Sequence, residues 1–391
     1  GMKYTWVSFT VASEGTIVGC DNRLVVEFKD NMLECRFYYS FRDEPLKLCA
    51  DGKAGDNAKL IILPYRIELW MNEVLCDEEW PAGEALFTLQ DIASEDVCVS
   101  EGEYVEIRCA SGTIDCAEGW RPGGGVFVGD CMPYVSKGRY HVLYLKDRRH
   151  HRSKWSLGAH QWEHLSTSDF KTWEIHPMAV PIDECCEGSI CTGSWIPKGE
   201  KEYLFYTVRM TDGSSAPIRR SMSSDGYNFS KDKGFSFYLS DRYDGRSARD
   251  PKLIRDNEGL YHMLLTTSLI KENRGCLAHL ISNDLDSWEE IEPIYISGDE
   301  TQPECPDYIE YSGRYYLIFS LRGKAHYMHS VEPFSGFIMP DNPVTPCSTV
   351  PKGAVWGEKI VFTGFRAIGG YAGVMTFREA TANANGELRF E

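Results

Sequence analysis

Three acidic residues stand at one recurring place in this sequence. Asp130 lies in GGGVFVGDCMPYV, Asp250 in SARDPKL and Glu304 in TQPECPDYIEY, each just upstream of a Gly-x-Tyr start to a run of buried-type residues. Proline fixes its own φ and pushes the preceding residue towards extended geometry. In isolation SARDPKL therefore reads as a loop entering a strand, with Arg249 and Asp250 solvated. Recurrence in register with two other acids supports a different reading. Carboxylates at equivalent positions of successive modules converge when the modules share an axis. One can protonate a leaving oxygen, and a second can attack or activate water from the opposite face. A third can hold hydroxyl groups and keep the acid protonated by like-charge repulsion. That is the chemistry of glycosidic cleavage.

The elements that must position these acids repeat. GRYHVLYLKD, KEYLFYTVRM, GLYHMLLTTS, GRYYLIFSLR and GEKIVFTGFR each join a turn to a buried-looking β run. After the first three comes a second signal, in HLSTSDFKTW, RSMSSDGYNF and HLISNDLDSW. There Asp169, Asp225 and Asp284 precede Trp173, Phe229 and Trp288 by four positions. These pairs read as a turn and a packing ring, without catalysis. Five repeats of this size predict an all-β fold, a five-bladed β-propeller over residues 116–391. Upstream, NRLVVEFKD, LECRFYYSF, AKLIILPYRIELWMN and EYVEIRCA read as strands joined by polar turns, and no long amphipathic helix is evident. A β-sandwich over residues 1–115, lectin-like in the stretch RIELWMNEVLCDEEWP, is the simplest closure. The boundary is expected within CASGTIDCAEGWRPGGG.

Composition narrows the partners. A net charge of −17 argues against nucleic acid and anionic membranes, since both reward a basic face. The 13% aromatic content suits a β-rich protein with flat surfaces for stacking on a sugar. Fourteen cysteines sit largely among strand-like residues without paired CxxC spacing, as expected for reduced thiols in a cytoplasmic protein. No run of apolar residues is long enough to span a membrane. In KDRRHHRSKWSLGAHQWEH, His160 and His164 are four apart, but the stretch leads into a strand, where that spacing does not make a helical metal site. No metal or cofactor is expected. The segment reads instead as a loop at a cleft rim, with Trp155 and Trp162 available to stack on an oligo- or polysaccharide.

The arrangement resembles the clan of five-bladed glycoside hydrolases containing families 32, 43 and 68. RDP is similar to the transition-state motif of family 32 and EC in PECPD to its acid motif. QWEHLSTSDFKTWEIHP resembles its WGHAxSxDLxxW segment and EGSICTGSWI its SGS block. These matches fall in the family's order over roughly residues 120–390. The resemblance implies a β-fructofuranosidase with retaining double displacement, in which Asp130 is the nucleophile, Asp250 stabilises the transition state and Glu304 is the general acid. Arg249, Trp162, Trp155, Ser194 and Glu187 are the expected substrate contacts. The family's nucleophile motif is Trp-Met-Asn-Asp-Pro-Asn-Gly, whereas this chain reads Val128-Gly129-Asp130-Cys131-Met132-Pro133, with Gly129 in place of a sugar-contacting asparagine. The sandwich also precedes the propeller, where in family 32 it follows. Two other readings are an inverting arabinofuranosidase or xylosidase similar to family 43, with Asp130 as base, and a propeller that binds carbohydrate without cleaving it.

Overall fold

The computed structural model describes residues 2–81, 88–104 and 112–391. Their regular structure is nearly all strand, apart from one short helical segment at Ser153–Ser156 and a 3-10 turn at Gln90–Ile92. The N-terminal region holds two antiparallel sheets. One orders Val74–Glu79, Ile67–Met71, Asn57–Ile62, Met2–Thr10 and Val97–Tyr104, and the other runs Gly15–Cys20, Leu24–Lys29, Met32–Phe37 and Leu46–Asp51. Alternation drives their pairing. In Leu46–Asp51 the residues Leu46, Leu48 and Ala50 are buried while Lys47, Cys49 and Asp51 face out, as the two-residue period of a strand requires. Val7, Phe9, Leu60 and Leu69 of one sheet share a single core with Leu24, Val26, Leu33 and Leu48 of the other. The end of EYVEIRCA and the start of the expected boundary segment lie outside the described residues; beyond them, Gly112–Ile114 pairs with Trp173–Val180 of the larger region.

That larger region consists of five antiparallel modules. Their first strands are Phe127–Ser136, Ser194–Lys198, Arg249–Arg255, Glu304–Tyr311 and Thr349–Trp356. Each predicted Gly-x-Tyr run or its counterpart forms the second strand: Arg139–Asp147, Lys201–Met210, Tyr261–Leu269, Arg314–Leu321 and Lys359–Ala367. The last module returns to the first, and Val128 pairs with Gly373. Apolar cores fill the space between successive modules. Leu143 and Trp162 meet Leu204 and Tyr206, Phe205 meets Leu253 and Met263, Leu264 meets Leu317, Ile318 meets Phe362, and Val361 meets Val142. Full burial of such side chains stabilises by roughly 1.5–3 kcal/mol each.

Four of the five first strands break register near their start, at Val128/Cys131, Arg249/Lys252, Glu304/Asp307 and Thr349/Lys352; in the second module the break falls at Glu187/Ser189, in the strand preceding Ser194–Lys198. A bulge bends a strand and re-aims its side chains. Asp250, Cys305 and Val350 adopt left-handed φ values of 60°, 50° and 40° there. For non-glycine residues, and above all for β-branched Val350, this is backbone strain that the surrounding packing must hold.

Arginines lock the two regions together. Arg149 Nη2 lies 2.7 Å from Asp77 Oδ1, and its Nε lies 3.3 Å from Glu79. Burial alone would raise the Glu78 carboxyl, but Lys146, Arg148 and Arg66 together hold it down at about 2. The segment expected at a cleft rim thus turns its arginines towards the N-terminal sheets.

Candidate active site

The bulges place Asp130, Asp250 and Glu304 around one cavity of about 710 Å³. Asp130, on Phe127–Ser136, is half-buried and its carboxylate is fully engaged. Oδ2 accepts from Thr192 Oγ1 at 2.7 Å and from the Cys305 thiol at 3.2 Å, and Oδ1 accepts from the Tyr371 hydroxyl at 2.9 Å. Asp250 is 4% exposed. Its Oδ2 accepts the backbone N–H of Cys305 at 2.9 Å. Burial raises the Asp250 carboxyl, Arg249 pulls it back and the negative charge of Asp130 raises it further, leaving it at about 6. Glu304 is nearly half exposed and its Oε1 accepts from Arg249 Nη2 at 2.8 Å.

Two residues connect the three acids. Cys305 gives its N–H to Asp250 and its S–H to Asp130, a double role made possible by its left-handed backbone. Arg249 reaches Glu304 with one guanidinium nitrogen and lies 3.8 Å from Asp250 through Nε. It is itself aimed by Gln302 Oε1 at 2.7 Å and the Ser247 carbonyl at 2.9 Å. The result is a buried carboxyl, a half-buried carboxylate and an exposed carboxylate in one cleft. Such a set can attack, stabilise positive charge and exchange a proton with a leaving group.

Other expected contacts lie elsewhere. Trp162 is fully buried between the first two modules, and its indole Nε1 donates to the Cys191 carbonyl at 3.0 Å. It backs the cavity wall without facing it, because position 162 on Gln161–Thr167 points at the neighbouring sheet. Trp155 packs edge-on to Phe41 and Tyr39 beneath the Arg42 guanidinium, in a separate cavity between the two regions. Ser194 is buried. Its hydroxyl donates to the Pro251 carbonyl at 2.9 Å and accepts the Leu253 N–H at 2.8 Å, pinning the strand that carries Asp250. Glu187 is fully buried and pairs with Lys231 at 2.6 Å and Arg219 at 3.4 Å. Of the expected substrate contacts, Arg249 alone lines the cavity.

Sequence reasoning missed Thr192, Tyr371, Arg209 and Arg246, all on the cavity wall. Thr192 sits inside the EGSICTGS block already singled out. Tyr371 lies 241 residues from Asp130, and no spacing rule points to it. Of the two histidines four apart, His160 bonds Asp147 at 2.8 Å and His164 is buried against His141. Among the described residues no group of three or more His, Cys, Asp or Glu side chains is arranged to hold an ion.

Comparison with known proteins bears on this geometry. The chain is 31% identical over 198 residues to a sucrose-6-phosphate hydrolase of Bacillus subtilis, a match covering 48% of this chain and 40% of that protein. The chain therefore spans less than half the length of that relative. Fructan 1-exohydrolase IIa from Cichorium intybus superposes with a TM-score of 0.57 at 17% identity, over 74% of this chain and 61% of the other. A thermostable family-43 glycoside hydrolase superposes with a TM-score of 0.51 at 16% identity, over 69% of this chain and 94% of the other. Residues 131–338 match the model for the glycosyl hydrolases family 32 N-terminal domain. That match runs through the first four modules and includes both Asp250 and Glu304, and the chain belongs to glycoside hydrolase family 32.

Proposed function

We propose that this protein is a β-fructofuranosidase-type glycoside hydrolase acting with retention through Asp130, Asp250 and Glu304. The observation that carries the reading is the convergence of the three acids, joined by Cys305 and Arg249, in one cavity. In this reading Asp130 attacks the anomeric carbon while Glu304 gives a proton to the departing oxygen. Water then releases the sugar from Asp130, with Glu304 taking the proton back. Asp250, as a carboxylate, faces the positive charge that develops on the ring. To act as acid, Glu304 has to leave its contact with Arg249 when substrate enters. The five modules and their inter-module cores support a five-bladed propeller over 116–391, and the two N-terminal sheets around one core support a sandwich over 1–115.

The substrate reading is an oligo- or polysaccharide with a terminal fructofuranosyl unit. Arg209 and Arg246 line the cavity without a carboxylate partner in any described ion pair, which, with the named activity of the Bacillus relative, brings a phosphorylated disaccharide into the test. Cytoplasmic placement is part of the proposal and is supported by the thirteen described cysteines, all free thiols.

Purified protein is assayed with sucrose, sucrose-6-phosphate, inulin, levan and aryl furanosides. Release of fructose, with retained configuration in the methyl fructoside formed in methanol, is the expected result. The near-complete coverage of a family-43 enzyme favours a second reading, inversion on arabinosides or xylosides. Turnover of those aryl glycosides with inverted product would replace the first reading. Binding of saccharides without turnover of any substrate would leave only the carbohydrate-binding reading.

A further inference from the structure

Gly129, the residue before Asp130, is buried. A Cβ at that position would lie 2.6 Å from the Tyr371 hydroxyl, 3.1 Å from the Leu145 carbonyl oxygen and 3.2 Å from the Leu145 Cβ. A side chain at 129 and the Tyr371 hydroxyl in its present place therefore exclude one another. The hydroxyl makes two bonds to a single residue. It donates to Asp130 Oδ1 at 2.9 Å and accepts the Asp130 backbone N–H at 3.2 Å.

Tyr371 is itself held firmly. Its carbonyl accepts from His150 Nδ1 at 2.8 Å, and its ring meets Phe365 edge-on with centroids 5.2 Å apart. The hairpin tip that presents it needs its glycines. Gly370 has φ +147°, and a Cβ at Gly373 would lie 1.9 Å from the Arg366 carbonyl oxygen. The short reach from this tip to Asp130 is thus set by backbone on both sides.

We infer that Tyr371 is a positioning residue for Asp130, occupying the space a side chain at 129 would take; the inference rests on the reading of Asp130 as nucleophile. With Thr192 and Cys305 on Oδ2 and Tyr371 on Oδ1, rotation of the carboxylate is blocked and its charge is met by three donors. The two-point contact also ties the carboxylate to its own main chain, so the attacking oxygen keeps one direction. Around the pair, Cys305 and Asp250 face the carboxylate, while His151, His160 and Asp147 lie behind the phenol.

The test begins without substrate. Protein carrying ¹³C-labelled aspartate is titrated by NMR, with the Asp130 signal assigned by its loss in Asp130→Asn. Tyr371→Phe removes a donor to the charged form, so the Asp130 midpoint moves upward relative to the wild type. An unchanged midpoint overturns the inference whatever the substrate proves to be, and so does a fall in melting temperature and kcat with the midpoint unmoved. On the fructoside, Tyr371→Phe lowers kcat by about 10- to 100-fold, the worth of one hydrogen bond to a charged group, with KM nearly constant. Gly129→Ala causes a similar loss in the wild type and a clearly smaller one in a Tyr371→Ala background, where only the close fit against Leu145 remains. Equal losses in both backgrounds overturn the mutual exclusion. A wild type that turns over no fructoside removes the fructofuranosidase reading, while the titration still decides this one.

Discussion

Two sets of acids recur in register along the chain, and the structure treats them in opposite ways. Asp169, Asp225 and Asp284 sit in the turns after the third strand of their modules. Each bonds the hydroxyl two residues before it and the backbone N–H groups two and three residues after it. For Asp225 these are Ser223 Oγ, Tyr227 N and Asn228 N, all at 2.8 Å. Thr167, Lys171 and Thr172 serve Asp169, and Ser282, Asp286 and Ser287 serve Asp284. Backbone donors hold Asp169 and Asp284 below the usual carboxylate range. Asp130, Asp250 and Glu304 instead draw their side-chain partners largely from other modules and face a cavity, and Asp250 is pushed upward. Periodic recurrence alone therefore does not separate function from architecture. An acid satisfied within five residues of itself is a turn, whereas one that depends on distant strands and also faces a cavity is available for chemistry.

Substitutions can break that contrast, and the largest effect belongs to Asp130. Asp130→Asn lowers kcat/KM on the order of 10⁴-fold or more, for sugar and aryl leaving groups alike, because the attacking charge is gone. Asp169→Asn leaves kcat/KM unchanged. Steady-state rates on both substrates check the pair; a comparable loss in Asp169→Asn would erase the distinction.

Next in size is Glu304→Gln. It slows cleavage of a natural saccharide by about 10²–10⁴-fold, the usual worth of a general acid. It spares the first step on an aryl fructoside, whose phenolate leaves unaided. Burst kinetics on the aryl substrate read this directly, and equal losses on both substrates would exclude Glu304 as proton donor.

Stability sharpens the comparison, because the two kinds of aspartate contribute with opposite signs. Folded Asp250 keeps its proton up to about pH 6, whereas an unfolded aspartate releases it near pH 4. Between these values the folded state binds more protons, so stability falls as pH rises through the window. Above it the buried charge costs about 2–3 kcal/mol. Asp250→Asn should therefore raise the melting temperature at pH 7.5 while lowering activity, and the gain should vanish near pH 4. A melting temperature that drops at neutral pH would show that the carboxylate is a net stabiliser.

The smallest effect belongs to the turn. Burial alone would raise Asp225, but its backbone and side-chain donors hold it below the usual range. Its stabilisation is present above the unfolded value near pH 4 and is lost as pH falls through the folded one. Asp225→Ala should cost about 1 kcal/mol at pH 7, less at pH 3, with kcat unchanged. Denaturant melts at the two pH values decide it, and a penalty that grows on acidification would contradict the assignment.

The strands were legible because their causes are local. Alternation in LKLCAD specifies which face is buried, and the Gly-x-Tyr runs emerged as second strands of successive modules. The turns at Asp169, Asp225 and Asp284 were equally readable from their spacing to the following aromatic, and every hydrogen-bond partner of these carboxylates lies within a few residues. The positions of Asp130, Asp250 and Glu304 were visible as a recurrence, although the bulges behind it were not. Their surroundings were decided only in three dimensions. Whether Trp162 meets a ligand or the next sheet depends on which side of its strand faces the cavity, and local pattern carries no information on that. Glu187 and Ser194 belonged to the right block, yet they point into the interior while Thr192 reaches Asp130. Tyr371 could not be found by any local rule. Its bond to Asp130 exists because the last module closes back on the first, and Gly129 leaves it the room.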